Sequence, residues 1–321
     1  MIALENRYLR AVIIVDQGAD LLELRYKPLD LDVLWHAPQE LLPPGRNVPP
    51  TQRKEGSFLD YLHGGWQEVL PNGHLDCHYK GASLGQHGEV SLLPWSARVI
   101  EDTPDRVSVL LSVRTRRTPF RLERTVTIAK EAASLILDEK VTNDGGEEMH
   151  LMWGHHPTFG EPFLGAGCRL KLPDGSRMHV PTFNAGAARR YAGGQSSAWP
   201  EAAAPYGSKL RADLLPGREA GTDDSFYVRV PEGWYELQSD RLKLRLEWDA
   251  GVFPYVWCWQ VYGGAAGFPY YGRTYNMAVE PFSSPIATLA DCAAQGTAMV
   301  LGPGASKETR VTVHMSLPEG E

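Results

Sequence analysis

The chain has 321 residues, of which 43% are hydrophobic and 22% charged, so it can bury a substantial core and lacks the composition of a disordered polymer. Its formal net charge of -7 comes from 39 acidic and 32 basic residues, and the basic residues form no long block, which argues against a nucleic-acid partner. No run reaches the roughly 18 to 20 apolar residues that cross a bilayer, and the amino-terminal segment does not resemble a secretory signal. We therefore expect a cytoplasmic protein without a membrane partner.

Alternation of apolar and polar residues recurs along the chain and predicts half-buried antiparallel strands. The clearest runs are VSVLLSVRT from Val107, FRLERTVTIAK from Phe120, SLILDEKVTN from Ser134, FYVRV from Phe226 and LKLRLEW from Leu242. Turn residues separate neighbouring runs, whereas no long segment keeps an apolar stripe at helical spacing. The pattern predicts an all-β chain, a single domain over residues 1–321 built as a large antiparallel β-sandwich with few short helices.

Two further features concern loops and thiols. Residues 38–54 are rich in proline and residues 185–207 in alanine, glycine and serine, and both segments are predicted loops that shape a binding site. The cysteines lie far apart with no CxxC pair, so we expect reduced, mostly buried thiols rather than disulfides or a zinc knuckle. They are Cys77, Cys168, Cys258 and Cys292.

The segment from His63 to His87 could form one wall of a binding site. Its two consecutive glycines permit a tight turn, and Trp66 offers a flat apolar face of the kind that carbohydrate sites use. The histidines and aspartate that follow are spaced at i, i+2 and i+4, which on a strand places three side chains on one face. These residues are His74, Asp76 and His78. They could bind a metal with His87 as a fourth ligand, or form a polar wall that hydrogen-bonds hydroxyl groups, and we favour the wall and expect no metal.

The GHHPTFG segment places His155 and His156 beside Pro157. A lone histidine is more often a hydrogen-bonded core group, but a rigid proline and aromatic neighbours favour a functional role here. An imidazole with an ordinary pKa of about 6.5 suits proton transfer near neutral pH. Because side chains alternate along a strand, only one of the two histidines can face a given side.

The YNMAVEPFSSP segment places Glu280 among apolar neighbours. The sequence leaves two alternatives open: a surface glutamate at a strand end, or a carboxylate held in a functional pocket. With a histidine, Glu280 would supply one proton acceptor and one donor.

Upstream of Glu280, Trp257 and Trp259 share one strand face and are interpreted as core, whereas the GGAAGFPYYGRTYN loop suits a pocket that stacks against sugar rings. No nucleotide-binding or GxSxG motif is found, so we expect no cofactor.

An ordered series of motifs covers nearly the whole chain and resembles that of the galactose mutarotase superfamily, the aldose 1-epimerases and their relatives. The motifs are QGADLLEL around Gly18, GGWQEVLPN at Gly64, QHGEVSLLPW at His87, TPFRLERTVTI at Pro119, GHHPTFG at His156, DDSF at Asp223, VEPF at Glu280 and LGPGASKETRV at Pro303. Each motif is weak alone, but their shared order implies the mutarotase-like β-sandwich. The resemblance also implies a cofactor-independent isomerase of a small carbohydrate, monomeric or homodimeric.

The resemblance assigns roles to individual residues. The HP-x-F match makes His156 the acid, the EP match makes Glu280 the base, and the HG match makes His87 a ligand of sugar oxygens. The family's site aspartate, three residues before a phenylalanine, matches Asp223 before Phe226, and Asp224 is the alternative match. We expect further substrate contacts from residues near these motifs, namely Trp66, Asn72, His74, Asp76, His78 and His155. On ordinary pKa values, Glu280 should be ionised and His156 protonated before turnover.

Two departures from the family pattern bear on the substrate. Typical aldose epimerases place an arginine soon after the turn that ends in Asn72, whereas this chain continues with Gly73 and His74. We hypothesise that His74, Asp76 or His78 holds hydroxyls in its place. After His87 and Gly88, the chain continues with glutamate and valine where the family usually has a segment like FAR.

Rival functions remain on the same fold, since fold does not fix function. One is a non-catalytic sugar-binding protein, which would not need a matched acid and base. Another is an epimerase or lyase of a phosphorylated or sulfonated sugar, which should have a basic pocket. Candidate basic residues are Arg46, Arg53, Lys80 and Arg273. A metal-dependent isomerase using the HxDxH residues is the least favoured alternative.

Overall fold

A computed structural model describes residues 1–39, 41, 58–182 and 188–318. Within these ranges the chain forms antiparallel strands joined mainly by short turns. The strands are β1 (Ile2–Glu5), β2 (Leu9–Ile14), β3 (Asp20–Tyr26), β4 (Leu31–Asp32), β5 (Trp66–Val69), β6 (Cys77–Tyr79), β7 (Ala82–Leu84), β8 (Ser96–Asp102), β9 (Arg106–Arg114), β10 (Phe120–Ala129), β11 (Ser134–Asn143), β12 (Met149–Leu151), β13 (Gly154–Gly160), β14 (Arg169–Lys171), β15 (Arg177–His179), β16 (Ser196–Ala198), β17 (Glu201–Ala203), β18 (Lys209–Arg211), β19 (Thr222–Arg229), β20 (Trp234–Gln238), β21 (Lys243–Trp248), β22 (Tyr255–Tyr262), β23 (Tyr275–Phe282), β24 (Met299–Leu301) and β25 (Ser306–Ser316).

Two large antiparallel sheets contain most of these strands. The first has 11 strands in the order β1-β2-β3-β5-β13-β23-β22-β19-β15-β16, with β4 paired to β3. The second has 8 strands in the order β14-β20-β21-β25-β11-β10-β9-β8. The pairs β6-β7, β12-β24 and β17-β18 form small separate sheets. A continuous apolar core joins side chains of both large sheets, and the predicted mainly-β antiparallel fold is confirmed.

The alternating runs read from the sequence form long strands of these sheets. In β10 every second side chain from Phe120 to Val126 is buried, and β11 alternates in the same way. The β-branched residues on the inner face pack well against a pleated surface, which is why these segments prefer the strand conformation. The buried phase of the two strands also contains two charged residues, Arg124 and Glu139.

Helices are few and short in the described part of the chain, as the sequence predicts. α1 spans Phe58–Tyr61 and α2 spans Leu289–Ala294, and 3-10 turns lie at Lys27–Leu29 and Arg218–Ala220. The Thr288 side chain caps α2 by accepting a hydrogen bond from the backbone N–H of Asp291. None of the helices described is long and apolar enough to traverse a membrane.

Only one of the two predicted loops can be compared with the structure. Most of residues 38–54 lie outside the described residues, so that prediction stays untested. In residues 185–207 the described part contains β16 and β17. The loop prediction is therefore wrong for these two strands, because three-residue strands are too short to show an alternating pattern.

The centre of the 11-stranded sheet is covered on both faces. Every residue of β13, GHHPTFG, and of β23, YNMAVEPF, is buried. One face of these strands packs on the core between the sheets, and the other faces a cavity roofed by α1 and the loops that precede β6 and β23. Polar side chains on such strands must find partners or line a binding site.

Candidate active site

His156 and Glu280 lie on neighbouring antiparallel strands and face each other. β13 and β23 pair Gly154 with Phe282 and Thr158 with Ala278, so this register places His156 opposite Glu280. The two side chains approach to 3.6 Å between Nε2 and Oε1. Gly154 is required here, because a Cβ atom would lie 2.1 Å from the Phe282 ring. Residues 124 positions apart in sequence thus lie opposite each other on neighbouring strands.

Burial inverts the ionisation expected for this pair. Loss of hydration raises the pKa of the Glu280 carboxyl well above its usual range and lowers the pKa of His156 to about 4. Both shifts run against the expectation from ordinary pKa values, an ionised glutamate beside a protonated histidine. A neutral pair and an ion pair both carry one transferable proton, so either state offers one proton donor and one acceptor.

Thr158 fixes the His156 ring from the far side. The Thr158 Oγ1 atom lies 3.0 Å from His156 Nδ1. A hydroxyl can donate to a bare ring nitrogen or accept from a protonated one, so this contact persists whichever nitrogen carries the proton. Nε2 is thereby directed towards Glu280, which is the arrangement that proton transfer needs.

Two further histidines surround the pair. The His87 ring lies 5.1 Å from the His156 ring and 5.4 Å from the His74 ring, measured between centroids. His87 adopts a left-handed backbone conformation, with φ at 60°, and the following Gly88 has φ at 77°. A Cβ atom at Gly88 would lie 2.3 Å from the backbone oxygen of Leu70, so the QHG turn requires glycine at that position.

Aromatic rings and burial hold these histidines neutral. His74 packs between Trp257 and Phe282, at centroid distances of 4.4 and 5.2 Å. Burial lowers the pKa of His74 to about 3 and holds the pKa of His87 well below its usual range, and the nearby His156 adds to both shifts. Among the described residues, His74 Nε2, His87 Nδ1 and Glu280 Oε2 are buried polar atoms without a hydrogen-bond partner. All three residues line the cavity, where a bound ligand can supply the partners.

A cavity of about 340 Å³ opens in front of these groups. Its described lining is mostly apolar and aromatic, with carboxylates at Asp223 and Glu280 and no lysine or arginine. A small polar ligand with apolar faces fits such a lining. The lining consists of Phe58, Leu59, Leu62, His74, Leu75, Gln86, His87, His156, Pro181, Asp223, Ser225, Trp257, Cys258, Trp259, Tyr270, Glu280 and Ala287.

The neighbouring aspartates of β19 point in opposite directions. Asp223 lines the cavity, and its Oδ1 atom accepts a hydrogen bond of 3.3 Å from the Trp259 indole. Asp224 turns away and accepts from the backbone N–H of Arg190 at 2.6 Å. Alternation along a strand explains this difference and also brings Ser225 to the cavity. Of the two aspartates, the structure places Asp223 with the acid/base pair.

Asn72 lies away from the cavity and supports the loop that carries His74. Its amide group donates to the backbone oxygens of Leu75 and Gly85 and accepts from the backbone N–H of Leu289. The side chain is fully buried by these contacts. The expectation of a direct substrate contact is therefore corrected, since all of its strong hydrogen-bonding capacity serves the scaffold.

Trp66 and His155 also lie away from the cavity, between the two large sheets. The Trp66 indole nitrogen lies 3.2 Å from His155 Nδ1, and both side chains are buried. Their substrate-binding role is corrected because β13 alternates: His156 faces the cavity, so His155 must face the core.

The three HxDxH residues do not share a strand face. β6 begins only at Cys77, so His74 and Asp76 precede the strand and alternation does not apply to them. His74 lines the cavity, whereas His78 is exposed and contacts the Ser83 hydroxyl at 3.0 Å. Asp76 is absent from the cavity lining. Of the predicted hydroxyl-binding wall of His74, Asp76 and His78, the structure brings His74 alone to the cavity.

Several lining residues differ from the expectation or have no clear signal in the sequence. Trp257 and Trp259, interpreted as core, line the cavity, and Tyr270 of the aromatic loop packs on Trp259 with ring centroids 5.4 Å apart. Phe58 contacts the His87 ring at 4.4 Å, and Gln86 lies beside it. Sequence alternation could have indicated the two tryptophans, because they share the phase of β22 that faces the cavity.

The candidate basic residues for an anionic sugar that the structure describes lie outside the cavity lining. Lys80 is paired with Glu147 at 2.6 Å, and Arg273 is exposed and donates to the backbone oxygen of Tyr270. Arg46 and Arg53 lie outside the described residues. Neither described residue lines the cavity.

Solved structures with the same fold are numerous. A protein of Klebsiella pneumoniae, provisionally described as an aldose 1-epimerase, aligns with a TM-score of 0.73 at 16% identity, covering 96% of this chain and 76% of that one. A galactose mutarotase related enzyme of Lactobacillus acidophilus gives a TM-score of 0.65 at 19% identity, covering 98% and 97%. A galactose mutarotase-like protein of Lactobacillus casei gives 0.61 at 18% identity, covering 98% and 100%. At these identities the likeness establishes the fold.

Sequence comparison identifies the family. Among curated proteins, no sequence matches the chain. A family model described as "Domain of unknown function (DUF4432)" matches residues 1–315. The chain therefore belongs to the DUF4432 family and has the galactose mutarotase-like fold.

Proposed function

We propose that the chain is an aldose 1-epimerase, or mutarotase, that interconverts the α and β anomers of a sugar. The observation that carries this proposal is the opposed pair of His156 and Glu280, an imidazole and a carboxyl 3.6 Å apart at the cavity wall. A protein that only binds sugar needs no matched proton donor and acceptor. Anomer exchange needs both at once, one for the ring oxygen and one for the anomeric hydroxyl.

The reaction follows from this geometry. Glu280 takes the proton of the anomeric hydroxyl while His156 protonates the ring oxygen, and the bond between C1 and the ring oxygen breaks to give the open-chain aldehyde. Rotation about the bond between C1 and C2, followed by closure with the proton transfers reversed, gives the other anomer. A sugar hydroxyl that donates to the unpartnered Glu280 Oε2 would stabilise the carboxylate and so move the shared proton towards His156.

The remaining groups of the cavity suit a neutral monosaccharide. His87 Nδ1 and His74 Nε2 are unpartnered and can bond to hydroxyls, and Asp223 offers a carboxylate. The rings of Trp257, Trp259 and Tyr270 offer flat faces for the apolar sides of a sugar ring. Because the described lining contains two carboxylates and no lysine or arginine, it favours a neutral sugar over a phosphorylated or sulfonated one.

Anomer exchange measured by NMR tests the proposal. Pure α-anomers of glucose, galactose and other aldoses are dissolved with and without the protein, and the approach to equilibrium is followed from the anomeric proton signals. We expect acceleration above the spontaneous rate for at least one neutral aldose. Saturable binding of sugars without any acceleration would instead identify a non-catalytic binding protein.

The pH dependence is expected to be unusual for a histidine-dependent enzyme. The active pair carries one proton, and it gains a second only at the lowered pKa of His156, about 4. The value of kcat/KM, corrected for spontaneous exchange, should therefore stay flat from pH 7 down to about 5 and fall only below that. On the alkaline side, kcat/KM should fall where Glu280 loses the last proton, and burial moves that fall upward from the ordinary carboxyl pKa. A fall centred between pH 6 and 7 would contradict the neutral resting pair.

His74 is expected to bind a sugar hydroxyl. Substitution His74→Phe keeps the packing against Trp257 and Phe282 but removes the unpartnered Nε2 atom. Loss of one hydrogen bond, about 0.5–1.5 kcal/mol, should raise KM about three- to tenfold with kcat changed less. His78→Ala, at an exposed histidine close in sequence, serves as the control and should leave KM unchanged. Equal effects of both substitutions would contradict the assignment.

A further inference from the structure

Four charged or titratable side chains meet between the two large sheets, directly behind the cavity. Glu68 of β5 and His155 of β13 come from the 11-stranded sheet, and Arg124 of β10 and Glu139 of β11 come from the 8-stranded sheet. Their side chains are at most 5% exposed. We refer to these four residues as the intersheet cluster. None of them lines the cavity, and the proposed reaction does not use them.

The intersheet cluster is closely bonded. Arg124 donates through Nε to Glu139 at 2.6 Å and through Nη2 to Glu68. His155 lies with Nε2 3.0 Å from Glu139 and Nδ1 3.3 Å from Glu68. The Trp153 indole also donates to Glu68. Glu68 therefore accepts from Arg124 and Trp153, and Glu139 accepts from Arg124. His155 Nδ1 accepts from the Trp66 indole, so the ring meets the two carboxylates at ion-pair distance.

The buried groups of the cluster shift one another's pKa values. Burial, together with Glu139, raises the pKa of Glu68 to about 7. Burial alone would raise the pKa of Glu139, but His155 and Arg124 outweigh it and hold that pKa well below its usual range. Burial alone would lower the pKa of His155, but Glu68 and Glu139 outweigh it and raise that pKa. Replacing such a buried charged group by a well-packed apolar core of equal volume is often neutral or stabilising, so the cluster is weak evidence of a gain in stability. What charged hydrogen bonds do supply is a fixed mutual geometry.

The fixed geometry of the cluster affects β13, because the backbone hydrogen-bond ladder between β13 and β23 is interrupted beside His156. β13 and β23 are paired at Gly154 and again at Thr158. Three residues on each strand lie between these points, His156 and Glu280 among them, and they are not part of the β13–β23 ladder. Pro157 and Pro281 flank the pair and have no N–H to donate. On its other edge β13 pairs with β5, where His155 lies opposite Glu68. The position of His156 is thus set from the side of β5 and the cluster rather than by bonds to β23.

We propose that the intersheet cluster positions His156 against Glu280. The inference rests on the proposed function and adds positioning residues to it: His155, the residue before His156, is held by carboxylates of both sheets, and this fixes the distance across the gap in the ladder. An error of about 1 Å in such a pair can cost about a hundredfold in rate. The cluster therefore acts on the rate of proton transfer and leaves the sugar contacts unchanged.

The substitution Glu139→Gln tests this inference, since Glu139 belongs to the opposite sheet and does not touch the cavity. We expect kcat to fall about tenfold or more with KM changed less than about twofold, and the imidazole ¹⁵N signals of His156 to shift. Thr127→Val is the matched control: it removes a buried hydrogen bond to Ser108 in the same sheet, 2.9 Å long, away from the cluster. It should change neither kcat nor the His156 signals.

The remaining outcomes separate this inference from the proposed function. If Glu139→Gln does not fold, the double substitution Arg124→Met with Glu139→Leu keeps the packing volume, and the same criteria apply to it. A folded variant with wild-type kcat and unchanged His156 signals would overturn the positioning role. If the wild type shows no anomer exchange, the proposed function fails, and the His156 signals in Glu139→Gln still decide whether the cluster positions that ring.

Discussion

Replacement of Glu280 by glutamine should abolish anomer exchange while leaving the fold intact. The amide is nearly isosteric with the carboxyl, but it can neither accept the proton of the anomeric hydroxyl nor give one up. General acid/base groups contribute about 10²- to 10⁴-fold each, so the enzymatic rate should approach the spontaneous one. Anomer exchange by NMR measures the loss, and a thermal unfolding curve checks the fold.

The fold should tolerate this change, because Glu280 does not support its surroundings. Its Oε2 atom has no hydrogen-bond partner in the part of the chain that the structure describes, and a buried carboxyl with a raised pKa is costly to charge. We therefore expect the Glu280→Gln variant to be at least as stable as the wild type. Turnover at the wild-type rate in a folded variant would exclude Glu280 from the chemistry and with it the proposed mechanism.

Replacement of His156 by glutamine should reduce kcat by about 10²- to 10⁴-fold. Glutamine can still reach Thr158 but cannot exchange a proton near neutral pH. Because His156 and Glu280 share one proton, the double substitution should be scarcely worse than either single one. Losses that multiply in the double variant would show that the two residues act independently, contrary to the paired mechanism.

The sequence predicts the fold well because strand periodicity is local. The runs that begin at Phe120 and Ser134 become β10 and β11 with the expected alternation of buried and exposed residues. The same alternation also indicates buried charges, because Arg124 and Glu139 fall on the buried phase of these strands. A charged residue in the buried phase requires a partner, so the sequence can predict the Arg124 and Glu139 half of the intersheet cluster.

The site is less predictable, because it depends on contacts between distant segments. The resemblance brings His87, His156, Asp223 and Glu280 to one place, and the structure assembles all four at the cavity. It does not tell whether a polar residue near a motif faces the cavity or supports a loop. Asn72 is used by the loop, and His78 falls on the exposed side of a short strand. Only three-dimensional packing separates these cases.

The cross-strand placement of His156 and Glu280 ties catalysis to the register of two strands. A slip of one residue between β13 and β23 would send one of the two side chains to the core face, and a slip of two would separate them by about 7 Å along the strand. Every misregistered form should therefore be inactive, even if it were compact and rich in β-structure. Specific activity in such a protein measures the fraction of molecules that have aligned these strands correctly, which spectroscopic measures of secondary structure do not report.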